Sequence, residues 1–319
     1  MVTAILMMVS DRYHTPVLLH DCINGLEINK DGDYVDVTYG GGGHSREILK
    51  GLESGRLIAF DQDADAQSNK IDDDRLTLVK ANFKFLKKNL RLNGLRVVDG
   101  ILGDLGVSSY QFDEAERGFS FRFEGPLDMR MNQQVGPTAA DILNSYSFED
   151  LASVFRRYGE VPNPGKLAKA VIDFRQEESF KDTLQLKNLS LSMATFKKEK
   201  QYLSKVFQAL RIEVNEEMRA LEELLLQSVE LLRVGGRLVI ISYHSLEDRM
   251  VKNFFRSGNF EGRVGKDFYG NDIKPFRAIS SKAIKATVEE IERNPRARSA
   301  RLRIGERINE QTQKGKKIN

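Results

Sequence analysis

The strongest constraint on this chain is a run of four glycines entered from a strand and left by a helix. Tyr34-Val35-Asp36-Val37 reads as a short buried strand, Gly40-Gly41-Gly42-Gly43-His44 follows it, and Ser45-Arg46-Glu47-Ile48-Leu49 opens a helix. Ser45 suits the N-cap, with Ile48, Leu49 and Leu52 as the apolar face. Glycines let the backbone turn sharply and let a ligand approach the main chain, so strand, glycines and helix together form a nucleotide-type site. On its own the cluster is shared by NAD enzymes, methyltransferases and plain tight turns.

The surrounding pattern predicts an α/β fold. Arg56 to Phe60 is a second strand ending at Asp61-Gln62-Asp63, Leu76 to Val79 a third, and Val97 to Leu102 a fourth ending at Asp104. Apolar strands alternating with helices indicate a parallel sheet covered on both faces. The alternation stops at Phe112. From there to about Asn215 the chain offers helical stretches (Phe148 to Tyr158, Gly165 to Arg175, Leu184 to Lys198), broken near Gly159, Pro162 and Pro164, and no convincing strand. It resumes with a helix over Val214 to Arg233, whose residues Val214, Met218, Leu221, Leu225, Val229 and Leu232 share one face. Gly235-Gly236 ends that helix before a strand at Arg237 to Ile241, a helix through Phe255 and a glycine-rich loop. The expected domains are therefore 1–111, 112–215 as a mostly helical insertion, and 216–319 with a basic tail. A chain of 319 residues has room for one large domain plus an insertion.

Composition narrows the class. With 40% hydrophobic and 30% charged residues the chain can build a core and is not disordered. Its one cysteine, Cys22, forbids an intrachain disulfide, and with only four histidines a structural zinc site is not expected. No metal is assigned, and the reducing cytoplasm is the expected compartment. Met1 to Val9 is apolar but too short to span a bilayer, and it lacks the basic start and cleavage site of a signal peptide. From Arg293 to Asn319 nine Lys/Arg stand against Glu306 and Glu310, a net +7 that leaves −4 on the rest of the chain. Such a tail fits either a polyanionic partner, RNA first, or a solvated end that aids solubility.

Two acids sharpen the glycine loop. Asp36 lies on the strand before it, and Asp61 lies nineteen residues after Gly42, where an acid can bind a ribose hydroxyl. A dinucleotide's phosphates would be repelled by acids here, whereas a ligand carrying a sulfonium and an ammonium would be held. Asp36 alone could simply cap a turn; with Asp61 and the glycines the ligand reading is favoured. The block "LLRVGGRLVIISYHSLEDR" resembles the penultimate helix and strand of many class I methyltransferases, although a generic helix-strand unit would also look like this.

The blocks "HTPVLL", "DVTYGGGGHSREIL", "IAFDQDADA", "DGILGDLGVSSYQFDEAERGFSF", "GPLDMRM", "FQALRIEVNEE", "GGRLVIISYHSLEDRMVKNFF" and "NPRARSARLR", in this order, resemble the bacterial RsmH/MraW family. The resemblance implies a class I (Rossmann-like) methyltransferase core with an inserted helical domain. It also implies methylation of N4 of a cytidine in the decoding region of small-subunit ribosomal RNA. Carried over by position, S-adenosylmethionine would be contacted by Gly42, Gly43, His44, Asp61, Phe83, Asp104 and Gln111. For Phe83, packing with Phe85 and Leu86 is the alternative to stacking on adenine. The sequence departs from the family at Gly41, where arginine is usual, and at Tyr110, where proline is usual. It departs again around Gly159 and in "KEKQYLSKV", which bears on RNA contact.

Methyl transfer from a sulfonium is a direct displacement, and the conjugated N4 amine is a weak nucleophile that must be oriented and must give up its N–H hydrogens. Asp104, Ser108 and Ser109 are the groups expected to do this; Asp104 could serve the cofactor alone, and the serines could serve a turn. Tyr110 offers an aromatic face to a base that is unpaired or flipped. In "ERGFSFRFEGPLDMRM", Arg117, Arg122 and Arg130 offer phosphate contacts and Phe119, Phe121 and Phe123 stacking surfaces, or else a strand packed on the core. His244 faces the substrate or packs, and Arg296 and Arg298 could clamp phosphates. The expected partner is small-subunit RNA or the subunit itself, with no membrane, and the oligomeric state is left open, a homodimer included. The rivals are a nicotinamide-dependent dehydrogenase and an RNA-binding assembly factor without activity.

Overall fold

The computed structural model describes residues 16–270 and 272–308. They fall into two compact units, one drawn from Met1–Gly106 and Arg219–Asn319 and the other Val107–Met218. The apolar run Met1 to Val9 and the tail from Asn309 onward lie outside the described residues.

The first stretch runs α1 (Leu19–Leu26), β1 (Asp33–Asp36), α2 (Gly43–Gly51), β2 (Arg56–Asp61), β3 (Leu76–Lys80), α3 (Leu86–Leu92) and β4 (Val98–Asp104). The middle unit holds α4 (Ser109–Asp113), α5 (Ala139–Ser145), α6 (Phe148–Arg157), α7 (Pro164–Glu177), α8 (Thr183–Met193) and α9 (Glu199–Val214). Then come α10 (Glu217–Leu231), β5 (Leu232–Ser242), α11 (Ser245–Ser257), β6 (Gly265–Lys266), β7 (Asp272–Ile273), β8 (Phe276–Ala278), α12 (Val288–Arg293) and β9 (Arg301–Arg307).

Seven strands form one sheet in the order β3-β2-β1-β4-β5-β9-β8. The first five are mutually parallel, and β9 runs antiparallel to both β5 and β8. Side chains alternate across a strand, so each central strand feeds two layers. Val35, Ile58, Phe60, Ile101, Leu238 and Ile240 pack with Leu86 and Leu90 of α3, Leu224 of α10 and Phe254 of α11. Tyr34, Leu57, Ala59, Leu102, Val239 and Ile241 pack on the other side with Cys22 and Leu26 of α1 and Ile48 and Leu49 of α2. Helices on both faces leave the strand ends as the open surfaces of this unit.

Several elements differ from expectation. The long helix starts at Glu217 and stops at Leu231, and β5 begins at once with Leu232. The register slips between Val98↔Leu232 and Gly100↔Arg237, so Arg233 to Gly236 form a bulge, with Gly235 at φ +89°. The glycine pair thus serves the strand and not the helix end. Ser45 lies inside α2, whose N-cap is Gly42. The helical stretch expected over Leu184 to Lys198 stops at Met193, and a further helix, α9, follows it from Glu199; Tyr202, Leu203, Val206, Phe207 and Leu210 give α9 a buried face at helical spacing.

The middle unit is built around Leu151, Phe155, Leu167, Val171, Leu186, Val206 and Leu210. Among its described residues there is no strand, only an isolated bridge between Pro126 and Asp182. It begins at Val107, five residues before the expected 112, because Val107 and Phe112 both pack against this core. It ends at Met218 where 215 was expected. Among the described residues no helix is long and apolar enough to cross a membrane.

Candidate cofactor site

Because β1, β2 and β4 are parallel neighbours, their C-terminal residues Asp36, Asp61 and Asp104 emerge at one edge of the sheet. The crevice outside the carboxyl ends of such strands is where open α/β sheets bind ligands. Asp36 is fully buried and anchors the glycine loop from beneath. Its Oδ2 accepts from the Ser45 hydroxyl (2.7 Å) and its Oδ1 from the Thr38 N–H (3.0 Å). Thr38 Oγ1 in turn accepts from the Asp104 N–H at 2.7 Å, tying the loop to the end of β4.

The loop is fixed by contacts that only glycine permits. Gly42 has φ +74°, and a Cβ there would lie 2.7 Å from the Tyr39 hydroxyl. Tyr39 is held in place, since that hydroxyl donates to the Asn69 carbonyl (2.7 Å) and accepts from the Ile71 N–H (3.0 Å). A Cβ on Gly43 would meet Pro16 Cγ at 2.2 Å. Gly40, by contrast, has φ +52°, and a Cβ there would meet nothing within 4 Å, so the loop borders open space at that point. The Gly40 N–H donates to Asp61 Oδ2 at 2.8 Å, which places the end of β2 beside that space.

His44 bridges the N-terminal segment and the acids. Its Nε2 lies 3.1 Å from the Val17 carbonyl, which can only accept, so Nε2 carries a hydrogen. Its Nδ1 faces Asp104 Oδ2 at 3.8 Å. The other Asp104 oxygen, Oδ1, accepts from the Tyr243 hydroxyl at 2.7 Å. Burial and the adjacent Asp104 charge push the Tyr243 phenol far above its ordinary range, so it stays a donor. Burial also raises Asp104 to about 6 against the pull of His44 and Tyr243, with Asp36 and Glu247 adding to the rise. Asp61 is likewise raised to about 6 by burial, opposed by the Asp63 and Gly40 N–H groups. Asp36 is raised by burial as well. One buried acid, Asp36, and two half-buried ones, Asp61 and Asp104, with an imidazole beside Asp104, make a site that gains from a bound cation and from hydroxyl donors. The first-turn N–H groups of α2, beginning at Gly43, lack intrahelical acceptors and suit a carboxylate.

The other expected residues are distributed as follows. Phe83 sits half-buried in the turn after β3, packed on the sheet's core, beside Asn82, whose Nδ2 donates to Gln62 Oε1 at 2.8 Å. Ser108 and Gln111 form a capping box on α4: Ser108 Oγ accepts from the Gln111 N–H, and Gln111 Oε1 from the Ser108 N–H at 3.0 Å. Ser109 is the first residue of that helix, and Tyr110 on it is exposed.

Four assignments to the substrate need correction. Phe119 is 4% exposed and belongs to the helical unit's core with Leu127 and Met129, so it offers no stacking face. Arg130 is held by Asp128 through two contacts of 2.9 and 2.8 Å and donates to the Gly136 carbonyl, so its charge is matched within the fold. Arg117 is buried and donates to the Arg130 and Met131 carbonyls. His244 is the buried N-cap of α11, with Nδ1 accepting from the Glu247 N–H and Nε2 3.2 Å from Glu247 Oε1. Arg298 stays exposed on the turn Pro295–Ser299, while Arg296 beside it is half-buried. Sequence reasoning missed Tyr243, whose only local signal is that it follows the last residue of β5.

A sheet of order 3-2-1-4-5 extended by an antiparallel strand, with an acid-lined glycine loop at its C-terminal edge, defines a class I methyltransferase fold. The chain belongs to the MraW methylase family, whose model matches residues 11–308. It is 57% identical over 297 residues to the ribosomal RNA small subunit methyltransferase H of Cytophaga hutchinsonii, covering 92% of this chain and 99% of that protein. To the protein of the same name from Bacteroides thetaiotaomicron it is 54% identical over 296 residues, covering 92% and 97%.

Proposed function

We propose that this protein uses S-adenosylmethionine to methylate N4 of a cytidine in the decoding region of small-subunit ribosomal RNA. The reading rests on family membership across nearly the whole chain, together with relatives named as small-subunit ribosomal RNA methyltransferases. The observation that carries the cofactor is the ring of Asp36, Asp61 and Asp104 around the glycine loop. A dinucleotide would bring its pyrophosphate against these acids, which argues against the dehydrogenase alternative.

In this reading the N–H groups of Gly43 and His44 hold the ligand's carboxylate, with Gly42 passing close beneath it while its own N–H donates to the Tyr39 carbonyl at 2.7 Å. Asp61 accepts from the ribose hydroxyls, and Phe83 lies against the adenine. S-adenosylmethionine, when bound, supplies an activated methyl group on a cationic sulfur. Asp104 accepts an N–H of the cytosine amine and so aligns its lone pair. Tyr243 keeps one Asp104 oxygen occupied and the carboxylate plane fixed. Above about pH 6 Asp104 is ionised and can take the proton that the methylated amine releases.

The test is mass spectrometry of small-subunit RNA from cells with and without the gene, and after complementation with Asp104→Ala. Loss of one N4-methylcytidine in the knockout and the Asp104→Ala strain is expected. An unchanged modification profile would sink the proposal. Tight calorimetric binding of NAD, with none of S-adenosylhomocysteine, would instead restore the dehydrogenase reading.

A further inference from the structure

From Leu76 to Val98 the chain carries Lys80, Lys84, Lys87, Lys88, Arg91 and Arg96 and no Asp or Glu. This stretch forms β3, the turn after it, and α3. Between α3 and α10 lies a groove of about 600 Å³. Its apolar lining is Phe85, Leu92 and Leu226, all exposed, Phe85 to 51%. Lys84, Lys87, Lys88 and Arg91 stand around it against two acids, Glu223 and Glu230. Glu230 pairs with Lys87, which holds its carboxyl below the usual range.

The walls are cross-linked, so the groove is formed before anything binds. The Lys87 N–H donates to Gln227 Oε1 at 2.8 Å, and Gln227 Nε2 donates to the Lys84 carbonyl at 2.9 Å. Lys84 Nζ lies 5.4 Å from the centre of the Phe85 ring. One lining residue, Phe85, belongs to the turn Phe83–Phe85 that follows the C-terminal end of β3 after two residues, and Asn82 before that turn donates to Gln62, next to Asp61.

We infer that this groove is a docking track for single-stranded RNA flanking the methylated nucleotide. Phe85 stacks a base, and Lys84, Lys88 and Arg91 contact phosphates. An aromatic face set among cations is the arrangement that single-stranded nucleic acid uses. The cationic run also continues past the groove at Lys80 and Arg96, farther than a short acidic peptide seated in it would need. This inference rests on the reading that the substrate is RNA.

The test uses the full-length protein with small-subunit RNA from cells lacking it. The variants are Lys84→Gln/Lys88→Gln/Arg91→Gln and, separately, Phe85→Ser, none of them in the cofactor loop. Loss of three phosphate contacts should flatten the slope of log affinity against log salt by about 2, and loss of one stacked base should weaken binding by roughly 5- to 100-fold. S-adenosylhomocysteine binding should be unchanged in both. Wild-type affinity and salt slope in both variants would overturn the docking track while leaving the RNA reading intact. A wild-type protein that binds no small-subunit RNA at any salt would overturn both.

Discussion

The Tyr243 hydroxyl donates to Asp104 Oδ1 across 2.7 Å, while Oδ2 of the same carboxylate faces His44 Nδ1 at 3.8 Å. The two oxygens of one acid are therefore held from two directions, by β5's end and by the glycine loop. Tyr243→Phe removes the donor that favours the ionised carboxylate and leaves burial unopposed on that side. A hydrogen bond to a charged group contributes about 1.5–3 kcal/mol. Turnover at neutral pH should fall by about an order of magnitude, and the acid limb of its pH profile should move upward from about 6. Rate profiles of the two proteins from pH 5 to 9 measure this, and coincident profiles would show that Tyr243 does not act through Asp104.

That relationship shows where sequence reading stops. Asp36, Asp61, Asp104 and the glycines were legible because a strand-end acid or a glycine run declares itself locally. Tyr243 lies 139 residues from Asp104, and only the β4–β5 register brings them together. The aromatic run after α4 left two readings open, and burial divides it. Phe119 points into the core, Phe121 packs edge-on against Phe207 at 5.6 Å, and Phe123 stays exposed. Alternate spacing set up that choice, but only tertiary packing made it.

Asp61 and Asp104 carry a pH dependence whose sign follows from their raised values. Each has a folded value of about 6 against 3.8 for the free side chain, so between those values the folded protein binds more protons than the unfolded chain. Stability then falls as pH rises through that window. Asp61→Asn removes one such group while keeping an acceptor for the Gly40 N–H. The melting temperature of Asp61→Asn relative to wild type, both without ligand, should be higher at pH 7 than at pH 4. A difference that is flat in pH would contradict the burial of an ionisable Asp61.

The glycine loop should show graded intolerance. Gly42→Ala meets both a positive φ and the Tyr39 hydroxyl, whereas Gly40→Ala meets a positive φ and open space. A left-handed conformation alone costs a non-glycine residue about 1 kcal/mol, and a clash with a fixed side chain adds to it. Gly42→Ala should therefore be the less stable of the two by chemical denaturation and should bind S-adenosylhomocysteine more weakly. Equal stability of the two variants would mean that Tyr39 gives way.

Glu290 of α12 reaches the segment that packs on this loop, at Leu18, from 272 residues away. Its Oε1 accepts from the Leu18 N–H at 2.7 Å, at a residue whose φ of +51° is held against its preference. Leu18 follows Val17, whose carbonyl takes the His44 Nε2 hydrogen, and Pro16, which fills the space against Gly43. The C-terminal segment thus holds the N-terminal strap, and the strap holds His44. Glu290→Ala leaves the Leu18 N–H without its acceptor and lets the strap relax from a strained backbone. Calorimetry should show affinity for S-adenosylhomocysteine reduced by about 3- to 10-fold, the range expected when a hydrogen bond of about 1 kcal/mol or slightly more is lost. Glu290→Gln keeps an oxygen acceptor at the same reach and should recover most of that affinity. If Glu290→Ala binds as tightly as wild type, the loop is held by Tyr39 and Asp36 alone.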